Sequence, residues 1–523
     1  MKFIAGGIVS IRGYLQERGV RQLLIRSPRQ RIEKLIGTLA WRSPADQEMR
    51  WFAAKIVEHL AAELNLAHFP GALECISSLF DQDTLLLTST AQQGTDEDLV
   101  LPGLRILENL AHDRHNCTLI YNTKDLLSKI VAPVCSSELI EDIKFSGKWT
   151  MVVDGSLNVV RRLMNSPGSI GEEMRSLIAN DRNVANNLEV VLDMDMKSNH
   201  IIIELQMRAI EVLTQLALHH PASASATKTR EKLIERALQI FLSADWMEDY
   251  LTYEKSWMKE AKETASRLQE KAGEALAMLS SDSEAIKSFT GCDDDVNRLT
   301  ELLDFNIKTI KCKIGPTDTV ETEINIGCRI SAALILKHLK NYVKAPTLRK
   351  VLGQLLQDEP FTLESHIKQC GERRLQAELL SLVTAIRADN NLNLAGILLS
   401  QTPPDTLEDF VVRLKKMAED NMHATPACLA IQKLTCEMVI EFMKHDRNVE
   451  MISNHNIVGT LVNASRKLAR LECSMIFGGI DRDCHGIPLK PRLYVLANKA
   501  EDLLTQRKQA LGINIVPAGA PIP

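Results

Sequence analysis

At 523 residues the chain exceeds what one compact core supports, so it is either several domains or one elongated stack. Hydrophobic residues make up 45% of it and aromatics only 4%, a composition rich in Leu, Ile and Ala that suits packed helices and excludes sandwiches and barrels. A formal net charge of −5 gives no overall attraction to a polyanion, which sets nucleic acid aside as a partner.

The first 34 residues hold eight Lys or Arg, among them Arg26, Arg29 and Arg31, against Glu17 and Glu33. An apolar run from Phe3 to Ile11 ends at Arg12 without a small-residue cleavage pattern, which predicts a basic capping segment over residues 1–48 rather than a signal peptide. The alternative function of this segment is docking to anionic lipid, with Arg26, Arg29 and Arg31 as the contacts, or following a transmembrane region that precedes this sequence. No stretch here approaches the ~20 apolar residues that cross a bilayer.

From residue 49 to 470 a six-residue apolar pattern recurs eight times. It reads Ile56-Val57-Glu58-His59-Leu60-Ala61, then Ile106-Leu107-Glu108-Asn109-Leu110-Ala111, Val159 to Met164 and Val212 to Ala217. Looser copies are Ala275 to Ser280, Ile335 to Lys340, Leu382 to Arg387 and Val439 to Lys444. Successive copies are 47 to 63 residues apart, the rhythm of a helical repeat array with loop insertions. After each hexamer comes a second apolar helix: Phe69 to Phe80, Asp125 to Val134, Ile170 to Ile178, Glu231 to Leu242, Asp295 to Leu303, Thr347 to Leu356, Leu392 to Leu399 and Asn456 to Leu468. A helix pair is the predicted unit, and one pair cannot bury both apolar stripes without its neighbours.

Insertions are expected as polar loops at residues 81–100 and 221–229 and as a helical insertion near 244–271, where an aromatic cluster at Trp246, Tyr250, Tyr253 and Trp257 comes just before the charged segment Lys259 to Lys271, marked as helix by Ala261, Ala265, Leu268 and Ala272. Asp293 to Asp295 supply carboxylates to cap a helix beginning near Val296. The Gly478 to Gly486 loop leads to a terminal helix, giving a C-terminal cap over 471–507 and a flexible tail over 508–523.

The segment Leu104 to Val134 carries Ile106-Leu107-Glu108-Asn109-Leu110-Ala111, a polar bend at His112 to Asn116, and the run Leu126-Leu127-Ser128-Lys129-Ile130. It resembles an armadillo (ARM) repeat, and weaker copies extend the resemblance across roughly Trp51 to Leu504. The chain as a whole is similar to the plant ARM-repeat superfamily, including grass brassinolide-enhanced-type members, many of which carry membrane spans ahead of the repeats. What the resemblance implies is an all-α fold, a right-handed α-solenoid of about eight degenerate ARM/HEAT-like repeats. ARM proteins that grip extended basic peptides use a ladder of Asn at the fourth hexamer position, with a Trp four residues earlier. Here the fourth positions are His59, Asn109, Arg162, Gln215, Met278, His338, Ala385 and Phe442, and Arg105 stands four before Asn109, so that grip is not expected.

Chemistry-bearing motifs are missing: the sequence has no GxxxxGK[ST] loop, GxSxG elbow or HExxH pair. His112 and His115 read as a polar bend, and Cys484-His485 as part of a turn. Eleven scattered cysteines without a CxxC pair read as reduced thiols of a cytoplasmic or nuclear protein. The expectation is therefore a monomeric, non-catalytic scaffold with protein partners, no cofactor and no metal. Its groove residues are expected to be Arg105, Asn109, Arg162, Gln215 and Lys337.

Overall fold

The computed structural model describes residues 29–81, 99–143, 147–194, 200–219, 224–242, 258–282, 285–286, 289, 293–303, 309–313, 319–323, 325–343, 345–356, 366–390, 405–477 and 491–512. The chain divides into two compact units, with the boundary inside one helix at Ala275 and Leu276, and with 241–244 belonging to the second unit.

In the first unit the described helices are α1 (Arg29–Thr38), α2 (Gln47–Leu60), α3 (Ala72–Ser77), α4 (Val100–Leu110), α5 (Arg114–Asn122), α6 (Lys124–Cys135), α7 (Ser137–Asp142), α8 (Gly147–Met164), α9 (Ser169–Asn180), α10 (Arg182–Leu192), α11 (His200–His219) and all but the last residues of α12 (Ala224–Leu242) and α13 (Met258–Leu279). The first four hexamers close α2, α4, α8 and α11, and these helices stack on one another in chain order. A second layer, α3, α6 and α10, stacks behind them. The first four hexamers bury most of their apolar positions: Val57, Leu60, Ile106, Leu107, Leu110, Val159, Val160, Leu163, Val212 and Leu213 are all 2% exposed or less. Burying a Leu or Ile of this kind stabilises by about 1.5–3 kcal/mol, so the repeated stripe is the main cohesive element.

The second unit continues the plan with α14 (Asp293–Leu302), α15 (Ile326–His338), α16 (Ala345–Leu356), α17 (His366–Asn390), α18 (Asp405–Asp420), α19 (Pro426–Phe442), α20 (Asp446–Asn454), α21 (Ile457–Phe477) and α22 (Leu493–Ala510). Helices α15, α17, α19 and α22 stack in sequence, and α15, α17 and α19 carry three of the remaining hexamers. Each unit by itself is an ARM/HEAT-like α-solenoid stack of degenerate helical repeats. One departure from helix is an antiparallel hairpin, β1 (Thr309–Lys313) with β2 (Thr319–Glu323), paired Thr309 to Glu323 in the insertion before α15. Its two short strands of alternating residue type fall where the hexamer spacing is 60 residues, room that the helices do not use.

Several expected details change. In three stretches the unit is three helices rather than two: α5, α6 and α8 after α4 (with α7 between), α9, α10 and α11 after α8, and α20, α21 and α22 after α19. Two of these helices begin at a capping Asp in the bend: Asp113 accepts from Asn116 N at 2.9 Å at the start of α5, and Asp181 accepts from Asn183 N at 2.9 Å at the start of α10. The stretch 221–229, read as a loop, turns helical at Ala224, because Ala and Lys there favour helix once the α12 stripe at Leu233, Ile234 and Ala237 is buried. Of the helix expected near 244–271 the described part, α13, carries the fifth hexamer and buries Ala265, Leu268 and Ala272, three of the four apolar residues that marked it in the sequence. The boundary at residue 48 falls in the first turn of α2, α21 runs on to Phe477, and α22 reaches Ala510, past the edge drawn for the flexible tail. Residues 82–98, the aromatic cluster at 246–257, Leu392 to Leu399 and the Gly478 to Gly486 loop lie outside the described residues.

Long polar side chains join the layers at helix ends. Arg50 donates to Leu39 O at 2.9 Å and Ser78 O at 3.1 Å; Gln206 donates to Val191, Leu192 and Met194 carbonyls at 3.0 to 3.3 Å; Arg329 donates to Leu302 O at 3.1 Å. Each donates to carbonyls at the ends of neighbouring helices, where intrahelical donors run out.

Two glycines in helices make a paired test of packing. A Cβ on Gly171 would lie 2.2 Å from Ser166 O and 2.9 Å from Met164 O, both backbone atoms, whereas a Cβ on Gly37 in α1 meets nothing within 4 Å. Gly171→Ala is expected to destabilise by about 1–3 kcal/mol, and Gly37→Ala to stabilise by about 0.5–1 kcal/mol. Urea unfolding of both variants checks this, and equal effects would contradict the packing at α9.

Candidate interaction surface

Charged side chains within or ahead of the hexamers of α2, α4, α8, α11 and α13 meet from one of these helices to the next. There they form a continuous line of half-buried charges. Lys55 pairs with Glu58 at 2.9 Å, and Arg105 of the next helix reaches the same carboxylate at 3.6 Å. Arg162 of α8 reaches back to Glu108 of α4 at 3.5 Å, while Arg161 reaches forward to Glu211 of α11 at 3.2 Å. Arg267 and Lys271 of α13 reach back to Glu204 at 2.7 Å and Glu211 at 3.4 Å. Nearly every pair crosses from one repeat to the next. Exposed single pairs contribute little, but a partly desolvated network spanning five helices fixes the register of the repeats and presents ordered donors and acceptors.

Of the residues expected to line a groove, Arg105, Asn109, Arg162 and Gln215 stand on this ridge, each half-buried and engaged with the preceding repeat. Asn109 Nδ2 donates to Glu58 O at 3.0 Å, and Gln215 Nε2 donates to Asn165 Oδ1 at 2.7 Å. Lys337 lies in the second unit on α15, 3.8 Å from Glu378 of α17, a carboxylate with no solvent exposure. The other fourth positions diverge. Met278 is 49% exposed, His338 meets Ser280 Oγ at 2.8 Å, and Phe442 is buried against Phe410 with ring centroids 5.1 Å apart. Burial, then Lys337 and Lys340, hold the His338 imidazole below its ordinary value. At the first helix of the line, Trp51 and Phe52 meet edge-on at 5.2 Å with Lys55 over the Trp51 ring at 5.9 Å.

Sequence reasoning missed Asp154, Glu204, Arg208 and Glu211, the centre of the ridge. They precede their hexamers by one to eight residues, and the hexamer alone gave no reason to look there. Burial first, with Glu108 and Glu204 adding to it against the pull of Arg208 and Arg161, pushes the Asp154 carboxyl up to about 6. In the second unit a cavity of about 270 Å³ opens between α17, α19 and α22, floored by Val383, Met438 and Leu496 and edged by Glu437, Glu441 and Lys499.

Among the lipid-contact candidates, Arg29 pairs with Glu33 at 2.8 Å and lies 5.7 Å from the Phe69 ring, Arg31 is exposed, and Arg26 lies outside the described residues. No described helix is long and apolar enough to cross a membrane. His112 and His115 are exposed at the bend, with His112 Nδ1 2.9 Å from Asn109 O, and among the described residues no group of three His, Cys, Asp or Glu is placed to hold a metal. The thiols of Cys135 and Cys436 are pushed up to about 12 by burial, to which Asp181 adds at Cys135 and Glu437 at Cys436, so neither is a ready thiolate.

Fold and surface together define a helical-repeat protein with a charged ridge along its hexamer-bearing layer. No family model matches the sequence, and no curated protein matches it either. Solved structures of similar build include an engineered protein at 16% identity with a TM-score of 0.45, covering 91% of this chain and 98% of that one. A complex of SYS-1 with POP-1 aligns at 12% identity and a TM-score of 0.39, over 92% of this chain and 86% of that one. A structure reported with a phosphorylation switch controlling the interaction between cadherin and beta-catenin aligns at 12% identity and 0.35, over 94% and 89%. At these values the likenesses carry no argument, and the solenoid assignment rests on the stacking of the chain's own helices.

Proposed function

We propose that this chain is a non-catalytic protein-interaction scaffold of the plant ARM-repeat kind its sequence resembles, acting as a monomer that holds an extended protein segment along the ridge from α2 to α13. The observation that carries this reading is the alignment of ordered polar side chains from the five hexamer-bearing helices α2, α4, α8, α11 and α13. Stacked helices lie about 8–10 Å apart and an extended chain rises about 3.3 Å per residue. One repeat therefore meets about three residues of a partner, and the partner should be read with that period. Arg105 and Arg162, each held by one neighbour's carboxylate and half-buried, supply the charge-assisted contacts; Asn109 and Gln215 supply the amides.

The test is the double variant Arg105→Ala with Asn109→Ala, compared in affinity capture from plant cells and in thermal unfolding. The pair is expected to lose a reproducible set of partners while costing only about 1 kcal/mol of stability, the worth of one half-exposed hydrogen bond and one weak ion pair. A loss of several kcal/mol with an unchanged partner set would make these residues purely structural. A partner set lost only when Arg26, Arg29 and Arg31 are neutralised would instead favour lipid docking.

A further inference from the structure

Asp154 sits midway along α8 with its side chain 26% exposed. Its Oδ2 accepts from Asn158 Nδ2 at 3.1 Å, while Oδ1 is buried without a hydrogen-bond donor. Across the helix contact, Arg208 of α11 stands 4.0 Å away and is also 3.8 Å from both Glu204 and Glu211. Three carboxylates thus divide one guanidinium. The remaining charges that act on Asp154 are Glu108 of α4, itself turned to Arg162, and Arg161 on its own helix, itself turned to Glu211. Glu204 is drawn the other way by Arg267 of α13. On the opposite side of α8, contact with α6 runs through Ser156, which donates to Ile130 O, and contact with α9 through Arg175, which donates to Met164 O.

We propose that Asp154 is a proton-operated joint between α8 and α11: its half-buried carboxylate competes with Glu204 and Glu211 for Arg208, and taking up a proton ends that competition and tightens the stacking of the two repeats. This goes beyond the scaffold reading and does not depend on it. The carboxyl sits at about 6 in the folded chain against an ordinary 3.8, so the stability it contributes is fully present below about pH 4 and is lost as the pH rises through about 6. Between pH 7.5 and 5.0 that single site favours the stacked state by about tenfold. A scaffold whose ridge helices tighten on mild acidification would hold its partner segment differently in acidic and neutral surroundings.

The experiment is amide hydrogen exchange on the full chain at pH 7.5 and 5.0, corrected for the intrinsic pH dependence and read on α8 and α11. The unmodified chain is expected to gain about tenfold in protection on acidification. Asp154→Asn, which carries no charge at either pH, is expected to be protected already at pH 7.5 and to change less than twofold. Glu204→Gln removes a like charge and a competitor for Arg208, so the midpoint of the gain moves to lower pH, a shift that a purely structural role would not produce. A gain that persists in Asp154→Asn, or no gain in the unmodified chain, overturns the proposal. If Asp154→Asn fails to fold, the midpoint in Glu204→Gln alone decides.

Discussion

Glu472→Ala is expected to cost about 3–5 kcal/mol, the largest effect of any single substitution considered in the second unit. Glu472 of α21 and Lys433 of α19 form an ion pair at 2.6 Å with both side chains only 5% exposed. The same carboxylate accepts from Leu493 N at 3.1 and 3.2 Å, so it also fills a free amide at the start of α22. Truncating it leaves an ammonium in a nearly dry site and an amide with its acceptor removed, and the three helices lose their common anchor. The companion variant separates the pair from its desolvation: Lys433→Met with Glu472→Leu removes both charges and is expected to recover most of the loss. Urea unfolding of the three proteins reads both numbers. A loss below about 1 kcal/mol for Glu472→Ala would mean that water reaches the pair and that the closure of α22 on α19 is looser than the burial implies.

Asn116 is the counterpart in the first unit. It is 1% exposed, and its one amide group serves three backbone partners: Nδ2 donates to Leu64 O at 2.8 Å and Leu110 O at 3.2 Å, and Oδ1 accepts from Leu66 N at 2.9 Å. It ties the bend after α4 to the bend one repeat earlier. Asn116→Ala is expected to cost about 3 kcal/mol, since each buried group left unsatisfied is worth about 1–3 kcal/mol and water recovers part of the loss. Asn116→Asp should be worse, because a carboxylate oxygen then faces two carbonyl oxygens. Hydrogen exchange at the Leu66 amide is the local readout: it should accelerate in Asn116→Ala by far more than amides of α11. Uniform acceleration across the unit would show a global loss and no specific tie. Its burial also closes Asn116-Cys117-Thr118 to glycosylation, whatever compartment the chain occupies.

Much of the architecture was written in the spacing of apolar residues. The hexamers at Ile56, Ile106, Val159 and Val212 mark the ends of four successive stacked helices, because a stripe with a helical period must be buried, and a repeat of that stripe forces repeated burial. The bend Asn in Asn116 was visible as part of a repeat pattern, though not the three backbone groups it serves. A second signal lay unread six residues before the hexamer, at Arg50, Gln206, Gln269, Arg329, Gln376 and Lys433, where a long polar residue recurs inside an otherwise apolar helix. Arg50, Gln206 and Arg329 proved to be the donors that fill helix-end carbonyls, and Lys433 is half of the buried ion pair.

The ridge was less legible. Arg105, Asn109, Arg162 and Gln215 were found because they share a hexamer position, but nothing local distinguishes Glu58, Glu204 or Glu211 from a solvated helix surface. An ion pair such as Arg161 with Glu211 joins residues fifty positions apart in the chain, and its existence depends on the angle and offset at which α8 and α11 stack. The sequence by itself therefore determined that helices form, where their apolar stripes lie and that they repeat, since those follow from local propensity and period. Only the tertiary structure decided which charges meet, that Arg208 is shared by three carboxylates, and that Phe442 is turned into the core while Gln215 stays on the ridge. Those outcomes are set by the contact of one repeat with the next, to which no single helix has access.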